Sequence, residues 1–384
     1  MERRKFLKTV GLGGFGLVLS GCAGSYMKLQ NPLVGIGGQP LVSPIYQIGL
    51  HSGHNMVEAM LGYLTVSRRY GGKSSKIIFD KPVKTRKVSQ RLLGEVTFHN
   101  ILVGGLSPGR NYHYRLEDTG LEGIVKTAHK DKRPFKFLLE SDTQCWLGRE
   151  THKPLRKAME SQMLEELDSR LLLNCGDVTQ CDRIDSWINN FFPYYTKILP
   201  EMPFYSVRGN HDTLGLGFSY VFGKNVDIEG MPFKSKKLNY SFNYGDVHFI
   251  ILNSNSTAKK TAREFLEDDI NKSNAKFNLV FFHHPFEVDL EGMPVHAVFF
   301  GHSHRYARFS HKQTKVPYII IGGGCDKMET KPYTGSSREE FELVASGIFN
   351  HYLSMHVEGN LIKGHVKDKT GMTRDRFNIL PKAI

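Results

Sequence analysis

The chain has 384 residues, a formal net charge of +13, 11% aromatic residues and 23% charged residues. That length accommodates two domains, each burying its own core, and the composition excludes general disorder. With no run of 18 or more apolar residues no membrane-spanning helix is predicted, and with no C-x-x-C pair among five cysteines a zinc site of that spacing is excluded.

Residues 1–21 read as an address rather than as part of the fold. Arg3-Arg4-Lys5-Phe6-Leu7-Lys8 precedes a short, glycine-diluted apolar stretch from Thr9 to Ser20 and resembles the twin-arginine export signal. Leu19-Ser20-Gly21-Cys22 resembles the lipobox of bacterial lipoproteins, which implies lipidation of Cys22. The expected product is exported, anchored to the membrane by lipid, and faces the periplasm or cell surface. If only the export signal operates, the product is soluble and secreted. Residues 22–40, rich in Gly, Asn and Pro, read as a tether.

Residues 41–130 show short alternating runs separated by turn residues. Val96, Phe98 and Leu102 share one face, as do Tyr112, Tyr114 and Leu116, and Leu106-Ser107-Pro108-Gly109 between them is a turn signal. The resulting L-x-P-G-x-x-Y-x-Y resembles a fibronectin-III-like β-sandwich, with Tyr112 or Tyr114 as its corner tyrosine. Such a domain could position a substrate or act as a spacer.

Asp131 to Pro134 marks the boundary to residues 131–384, where apolar strand-like runs alternate with helical patterns and predict an α/β fold. One helix is expected to begin near Pro154, burying Leu155, Ala158, Met159, Met163 and Leu167. Others are expected from Asp182 to Ile198 and from Thr261 to Asn271. Later strands include LNYSFNYG, VHFIILNS and VPYIIIGG, and HYLSMHVEG pairs with LIKGHVKD in a hairpin through Gly359-Asn360.

Five of these runs end in residues that can hold a cation. KFLLESDTQ ends beyond Asp142, LLLNCGD at Asp177, FYSVRGNHD at Asn210-His211-Asp212, LVFFHHP at His283-His284, and VFFGHSH at His302 and His304. In an extended chain residues two apart face the same side, so His302 and His304 can share a cavity. The ordered set resembles the calcineurin-like metallophosphoesterases, and GHSHRYAR is closest to the GHxHxYER of purple acid phosphatases, with Ala307 in place of Glu. That resemblance implies two mixed sheets flanked by helices in a four-layer sandwich behind the N-terminal domain. It assigns Asp142, Asp177 and His304 to one metal, and Asp177, Asn210, His283 and His302 to the other, with Asp177 bridging. Mixed oxygen and imidazole donors suit Fe, Mn or Zn better than calcium.

Two such cations would acidify a water and stabilise in-line displacement at the phosphorus of a small-molecule or macromolecular phosphate ester. His211 would stabilise the phosphoryl oxygens or protonate the leaving group, its ring oriented by Asp212. Gln144 and Gln180 stand where the family has imidazole and tyrosine, so they are weaker candidate ligands for the first metal. The alternative is a cell-surface binding protein without turnover. His284 and His296 read as structural, Cys145 and Cys181 as a candidate disulfide, and the loops 213–237 and 326–346 as pocket walls. Arg68-Arg69 and the Lys234 to Lys237 cluster are too short to form a nucleic-acid-binding module. The positive charge instead favours anionic partners.

Overall fold

Short runs of strand separated by turns build the first two sheets, with residues 59–65 and 96–101 buried throughout. The computed structural model describes residues 33–34, 40–41, 46–52, 55–66, 75–91, 96–117, 120–222, 238–255, 259–286 and 288–381. The expected leader, Cys22 and the segment 223–237 lie outside them. One antiparallel sheet runs in the order β1 (Leu33–Val34), β2 (Pro40–Leu41), β4 (Asn55–Val66), β7 (Val96–Gly104) and β6 (Lys84–Arg91), with β3 (Tyr46–Ser52) also on β4. Parts of the expected tether are therefore in strands: Leu33 pairs with Leu41 and Val34 with Pro40, and Leu41 pairs in turn with Thr65. A smaller sheet runs β5 (Ile77–Phe79), β8 (Asn111–Leu116), β9 (Glu122–Lys126). Along β8, Tyr112, Tyr114 and Leu116 are buried and their neighbours exposed, as the period of two demands. The Tyr112 hydroxyl accepts the Ser107 N–H at 2.7 Å across the turn, where Gly109 adopts φ 66°.

The remaining elements are β10 (Phe135–Glu140), α1 (Arg149–Leu164), β11 (Leu172–Asn174), α2 (Ile184–Ser186), β12 (Phe204–Ser206), α3 (Gly217–Val221), β13 (Tyr240–Tyr244), β14 (Val247–Ile251), α4 (Lys259–Ile270), β15 (Phe277–Phe281), β16 (Ala297–Phe300), β17 (Tyr306–His311), β18 (Pro317–Ile321), β19 (Phe341–Gly347), β20 (His351–Glu358), β21 (Leu361–Asp368) and β22 (Thr373–Ile379). They form two mixed sheets, β12-β11-β10-β20-β21-β22 and β13-β14-β15-β16-β18-β17-β19. Aromatic rings join the two: Phe137 meets Phe249 edge-on at 5.1 Å, and Tyr205 stacks on Phe242 at 4.3 Å. Phe281 and Phe299 extend this seam, and both are wholly buried. Truncating one such ring to alanine costs about 3–5 kcal/mol. On the other face of the second sheet, Ala262, Leu266 and Ile270 of α4 join Ile250, Val280 and Val298.

Strands β10, β11 and β12 are mutually parallel, as are β14, β15, β16 and β18. Parallel strands bring their carboxyl ends to one edge of each sheet, which is where such folds place ligands. Two expected helices differ from the structure. Helix α1 starts at Arg149, so Pro154 falls inside it, and it stops at Leu164. The stretch expected from Asp182 to Ile198 breaks into α2, a π turn at Trp187–Phe191 and a 3-10 turn at Phe192–Tyr194. Trp187, Phe191, Phe192 and Tyr195 are all buried there, so no single polar face exists for a regular helix to turn outward. Among the described residues no helix is long and apolar enough to cross a membrane.

The N-terminal sheets meet the later elements at one turn. The Pro200 carbonyl accepts from Gln47 Nε2 at 2.7 Å, the Tyr114 hydroxyl at 2.8 Å and the Ile124 N–H at 3.0 Å.

Candidate metal centre

Each donor follows the carboxyl end of a strand: Asp142 after β10, Asp177 after β11, Asn210 and His211 after β12, His283 after β15, His302 and His304 after β16. The chain turns sharply at three of them. Asp142, Asp177 and His302 have φ of 56°, 55° and 68°, a left-handed conformation that costs energy and concentrates at functional sites. Gly209 and Gly301 allow these turns to close, since a Cβ on either would collide with the Asp177 or Asp142 carboxylate.

The structure brings the expected donors together. Asp142, Asp177 and His283 each offer a ligand atom within 4.8 Å of the others. Asp177 Oδ2 lies 3.1 Å from His283 Nε2, and Asn210 Oδ1 lies 3.1 Å from both His283 Nε2 and His302 Nδ1. His304 Nε2 is 3.5 Å from Asp142 Oδ1. Both Asp142 oxygens accept the His302 N–H, at 3.0 and 2.9 Å, and Ser141 Oγ donates to the same carboxylate at 2.6 Å.

Backbone carbonyls set three of the imidazoles. His283 Nδ1 donates to the Cys175 carbonyl at 2.9 Å, His304 Nδ1 to Lys327 at 2.8 Å, and His211 Nδ1 to Gln180 at 2.7 Å. Each ring thereby keeps Nε2 for the cavity, the arrangement that orients metal-ligating and acid–base histidines. Burial pulls the His283 pKa down, but the adjacent Asp177 carboxylate overrides it and raises the value to about 9. His304 is likewise raised, against burial, to about 11 by Asp142 and Cys325. His302 falls to about 4 because burial and the His283 charge disfavour a second cation.

Two expectations are corrected. Asp212 does not orient His211, which is held by the Gln180 carbonyl. Its carboxylate instead accepts the backbone N–H groups of Asp177, Val178 and Gly209 at 2.8, 3.0 and 2.9 Å. Adjacent residues in the 3-10 turn His211–Thr213 diverge, so one side chain enters the cavity and the next goes underneath. Cys145 is a free thiol, so the expected bond to Cys181 does not form.

Gln144 is at the centre, and Gln180 meets it through the backbone carbonyl that holds His211. Gln144 Nε2 lies 3.5 Å from Asp177 Oδ2 and 3.3 Å from His304 Nε2. The side-chain oxygens of both glutamines are buried with no hydrogen-bond partner among the described residues. A half-turn of the Gln144 amide would direct its oxygen at His304 and the cavity. Carboxylates, imidazole Nε2 atoms turned toward them and the unsatisfied Gln144 amide oxygen fit the cations that the ligand pattern implies.

Other side chains stand close to these donors. His284, expected to be structural, has its ring 4.7 Å from that of His302 and offers a nitrogen within 4.8 Å of those of His283 and His302. Its neighbouring position to His283 was the only available signal. His296 is structural, its Nδ1 accepting the Asn278 N–H at 2.9 Å. Trp146 stands edge-on to His211 at 5.5 Å and to His304 at 6.3 Å, with Lys327 Nζ 4.3 Å above its ring. Nothing in the local pattern marks that pairing, because Trp146 and Lys327 lie in loops far apart in the chain.

Residues 135–306 match the family described as calcineurin-like phosphoesterase. No curated protein matches the chain in sequence. Among solved structures it is similar to purple acid phosphatase PPD1 from seeds of yellow lupin (Lupinus luteus), with a TM-score of 0.63 and 14% identity over 88% of this chain and 75% of that one. It is also similar to PhoD, with a TM-score of 0.55 and 12% identity over 94% of each chain. A third similar structure is GAP50, described as the anchor in the inner membrane complex of Plasmodium, with a TM-score of 0.50 and 14% identity over 65% of this chain and 90% of that one. At these identities the likeness is one of fold.

Proposed function

The chain carries a calcineurin-like phosphoesterase domain at residues 135–306, and on that premise we propose that it is an exported, metal-dependent enzyme hydrolysing phosphate esters. The observation that carries this reading is Asp177, whose Oδ2 lies 3.1 Å from His283 Nε2 while its Oδ1 accepts the His211 N–H at 2.8 Å. One carboxylate thus joins the candidate ligands to the candidate acid.

Asp142, Asp177 and His304, with Gln144, would hold one cation, and Asp177, Asn210, His283 and His302 a second. Bound Fe, Mn or Zn would acidify water and neutralise phosphoryl oxygens. The protein's own part is positional. The Cys175 and Lys327 carbonyls keep His283 and His304 aimed, and the Asp212 carboxylate fixes the Asp177 turn. His211 Nε2, 4.0 Å from Asp177 Oδ2, is placed to give a proton to the departing alkoxide. Retention of that histidine favours turnover over a binding role, which needs no acid.

The finer features are proposals with separate support. We read the N-terminal sheets as a fibronectin-III-like sandwich. Its strands follow the order β3-β4-β7-β6 against β5-β8-β9, and Tyr112 bonds back to Ser107 as a corner tyrosine does. Export and lipid anchoring rest on the Arg3-Arg4 and Leu19 to Cys22 motifs.

The test is elemental analysis of the isolated protein beside a panel of phosphate monoesters and diesters, before and after chelation and with Fe, Mn or Zn restored. Hydrolysis that vanishes on chelation and returns with metal supports the proposal. A metal-free protein that hydrolyses none of the panel under any restoration rejects it.

A further inference from the structure

One residue along the chain from Trp146, three unlike ligating groups converge in a place the phosphoesterase chemistry does not use. They are Cys145, His152 in the first turns of α1, and Asp326 in the loop after β18. One ligand atom of each lies within 4.8 Å of the other two. Cys145 and His152 flank the start of one helix, while Asp326 comes from a distant stretch, so the meeting of all three is a product of the fold.

The imidazole supplies the second observation. His152 is wholly buried, and its Nε2 donates to the Asn190 carbonyl at 3.1 Å. The proton is therefore on Nε2, and Nδ1 presents a lone pair. That lone pair is buried and has no hydrogen-bond partner among the described residues. A buried acceptor left without a donor is unfavourable, and native proteins fill such positions with a donor, a water or an ion. Cys145 is a half-buried free thiol and does not fill it. Asp326 is already aimed: Oδ1 accepts the Trp146 N–H at 2.8 Å, and Oδ2 accepts the Leu147 N–H at 3.0 Å and the Thr151 hydroxyl at 2.7 Å. Those bonds hold the carboxylate still and leave Oδ1 a lone pair for another partner.

We propose that Cys145, His152 and Asp326 form a separate mononuclear zinc(II) site. A thiolate beside an imidazole selects zinc over magnesium, calcium or manganese, and three protein ligands leave a fourth position to water. Binding exchanges the thiol proton for the zinc–sulfur bond, so one proton leaves to solvent per ion and no electrons move. The site ties the Gln144 to Trp146 segment to the Asp326-Lys327 segment, whose Lys327 carbonyl orients His304. Zinc here braces one wall of the metal centre without touching substrate, and its presence does not depend on the phosphoesterase reading.

Cobalt(II) is the probe that separates this site from the metal centre, because none of Asp142, Asp177, Asn210, His283, His302 and His304 supplies sulfur. The full chain, stripped of metal and titrated with cobalt, is expected to develop a thiolate-to-cobalt charge-transfer band that saturates and is lost when zinc is added. Cys145→Ser should abolish the band and His152→Gln should abolish or weaken it, each with unchanged circular dichroism. Asp177→Asn should keep it, and so should Cys325→Ser, which controls for the thiol beside His304. In the unmutated protein zinc should protect Cys145 from iodoacetamide, a readout that needs no variant. A wild-type chain without the band, a band that survives Cys145→Ser, a band lost in Asp177→Asn or Cys325→Ser, or equal alkylation with and without zinc would each overturn the proposal.

Discussion

The Asp212 carboxylate holds the backbone of Asp177: its Oδ2 accepts the Asp177 N–H at 2.8 Å, in the turn where Asp177 adopts φ 55°. The same carboxylate accepts two further N–H groups, from Val178 and Gly209. Asp212 thus acts on the site through the chain that carries the candidate bridging ligand.

Asp212→Asn should therefore destabilise the protein and weaken metal retention together. An amide offers one acceptor oxygen and turns an N–H₂ toward N–H donors, so at least one buried N–H loses its partner. That loss costs about 1–3 kcal/mol. Thermal unfolding with metal analysis checks it, and an unchanged melting temperature with full metal content would refute the bonding role.

Asp177→Asn and His211→Ala should separate binding from chemistry. The first removes the carboxylate against His283 and should abolish both metal binding at this centre and hydrolysis. The second should keep the metals and cut turnover by about 10²–10⁴-fold, the usual worth of a positioned proton donor. Metal content and steady-state kinetics on each variant decide it. Loss of metal in His211→Ala would place that ring among the ligands, and full activity in Asp177→Asn would reject the centre.

Stability of the chelated protein should fall with rising pH. His283, lowered by burial but lifted further by Asp177, titrates near 9 in the folded chain against an ordinary 6.5. A raised folded pKa stabilises fully below the unfolded value and loses that contribution as pH rises through the folded one. The decline should run from about pH 6.5 to 9, with His304 extending it upward in the same direction. His302, held near 4 by burial and the His283 charge, is neutral throughout. Melting curves with chelator should show the decline, while metal-loaded protein should not, because the cation replaces the proton. Metal uptake at neutral pH should also release protons, measurable by calorimetry in buffers of different ionisation enthalpy.

Colour should be absent. The resemblance to purple acid phosphatases implies a tyrosinate on Fe(III), and the corresponding position here is Gln180. Nearby tyrosines are committed elsewhere: the Tyr195 hydroxyl donates to Glu140 and the Tyr240 hydroxyl to the Ser206 carbonyl. Iron-loaded, oxidised protein should lack the visible phenolate band, and Gln180→Tyr should gain it. A purple wild-type protein whose band disappears on changing another tyrosine would show that the first metal's ligands are misplaced.

The sequence by itself determined which residues stand at strand ends. Asp142, Asp177, Asn210, His283, His302 and His304 each close an apolar run, and an apolar run in a parallel sheet ends at the edge where ligands gather. It also determined the face of β8 that is buried, because a strand's period of two leaves no freedom in that choice. Contacts between segments distant in the chain were decided only by tertiary structure. Whether His211 is oriented by its neighbour Asp212 or by the Gln180 carbonyl depends on how the loops after β11 and β12 meet. The same holds for Arg156 and Glu140, a buried ion pair at 2.9 Å between α1 and β10, and for His152 meeting Cys145 and Asp326. Spacing along one element fixes the relative direction of its own side chains, while the partner each side chain reaches is set by how sheets and loops stack across the core.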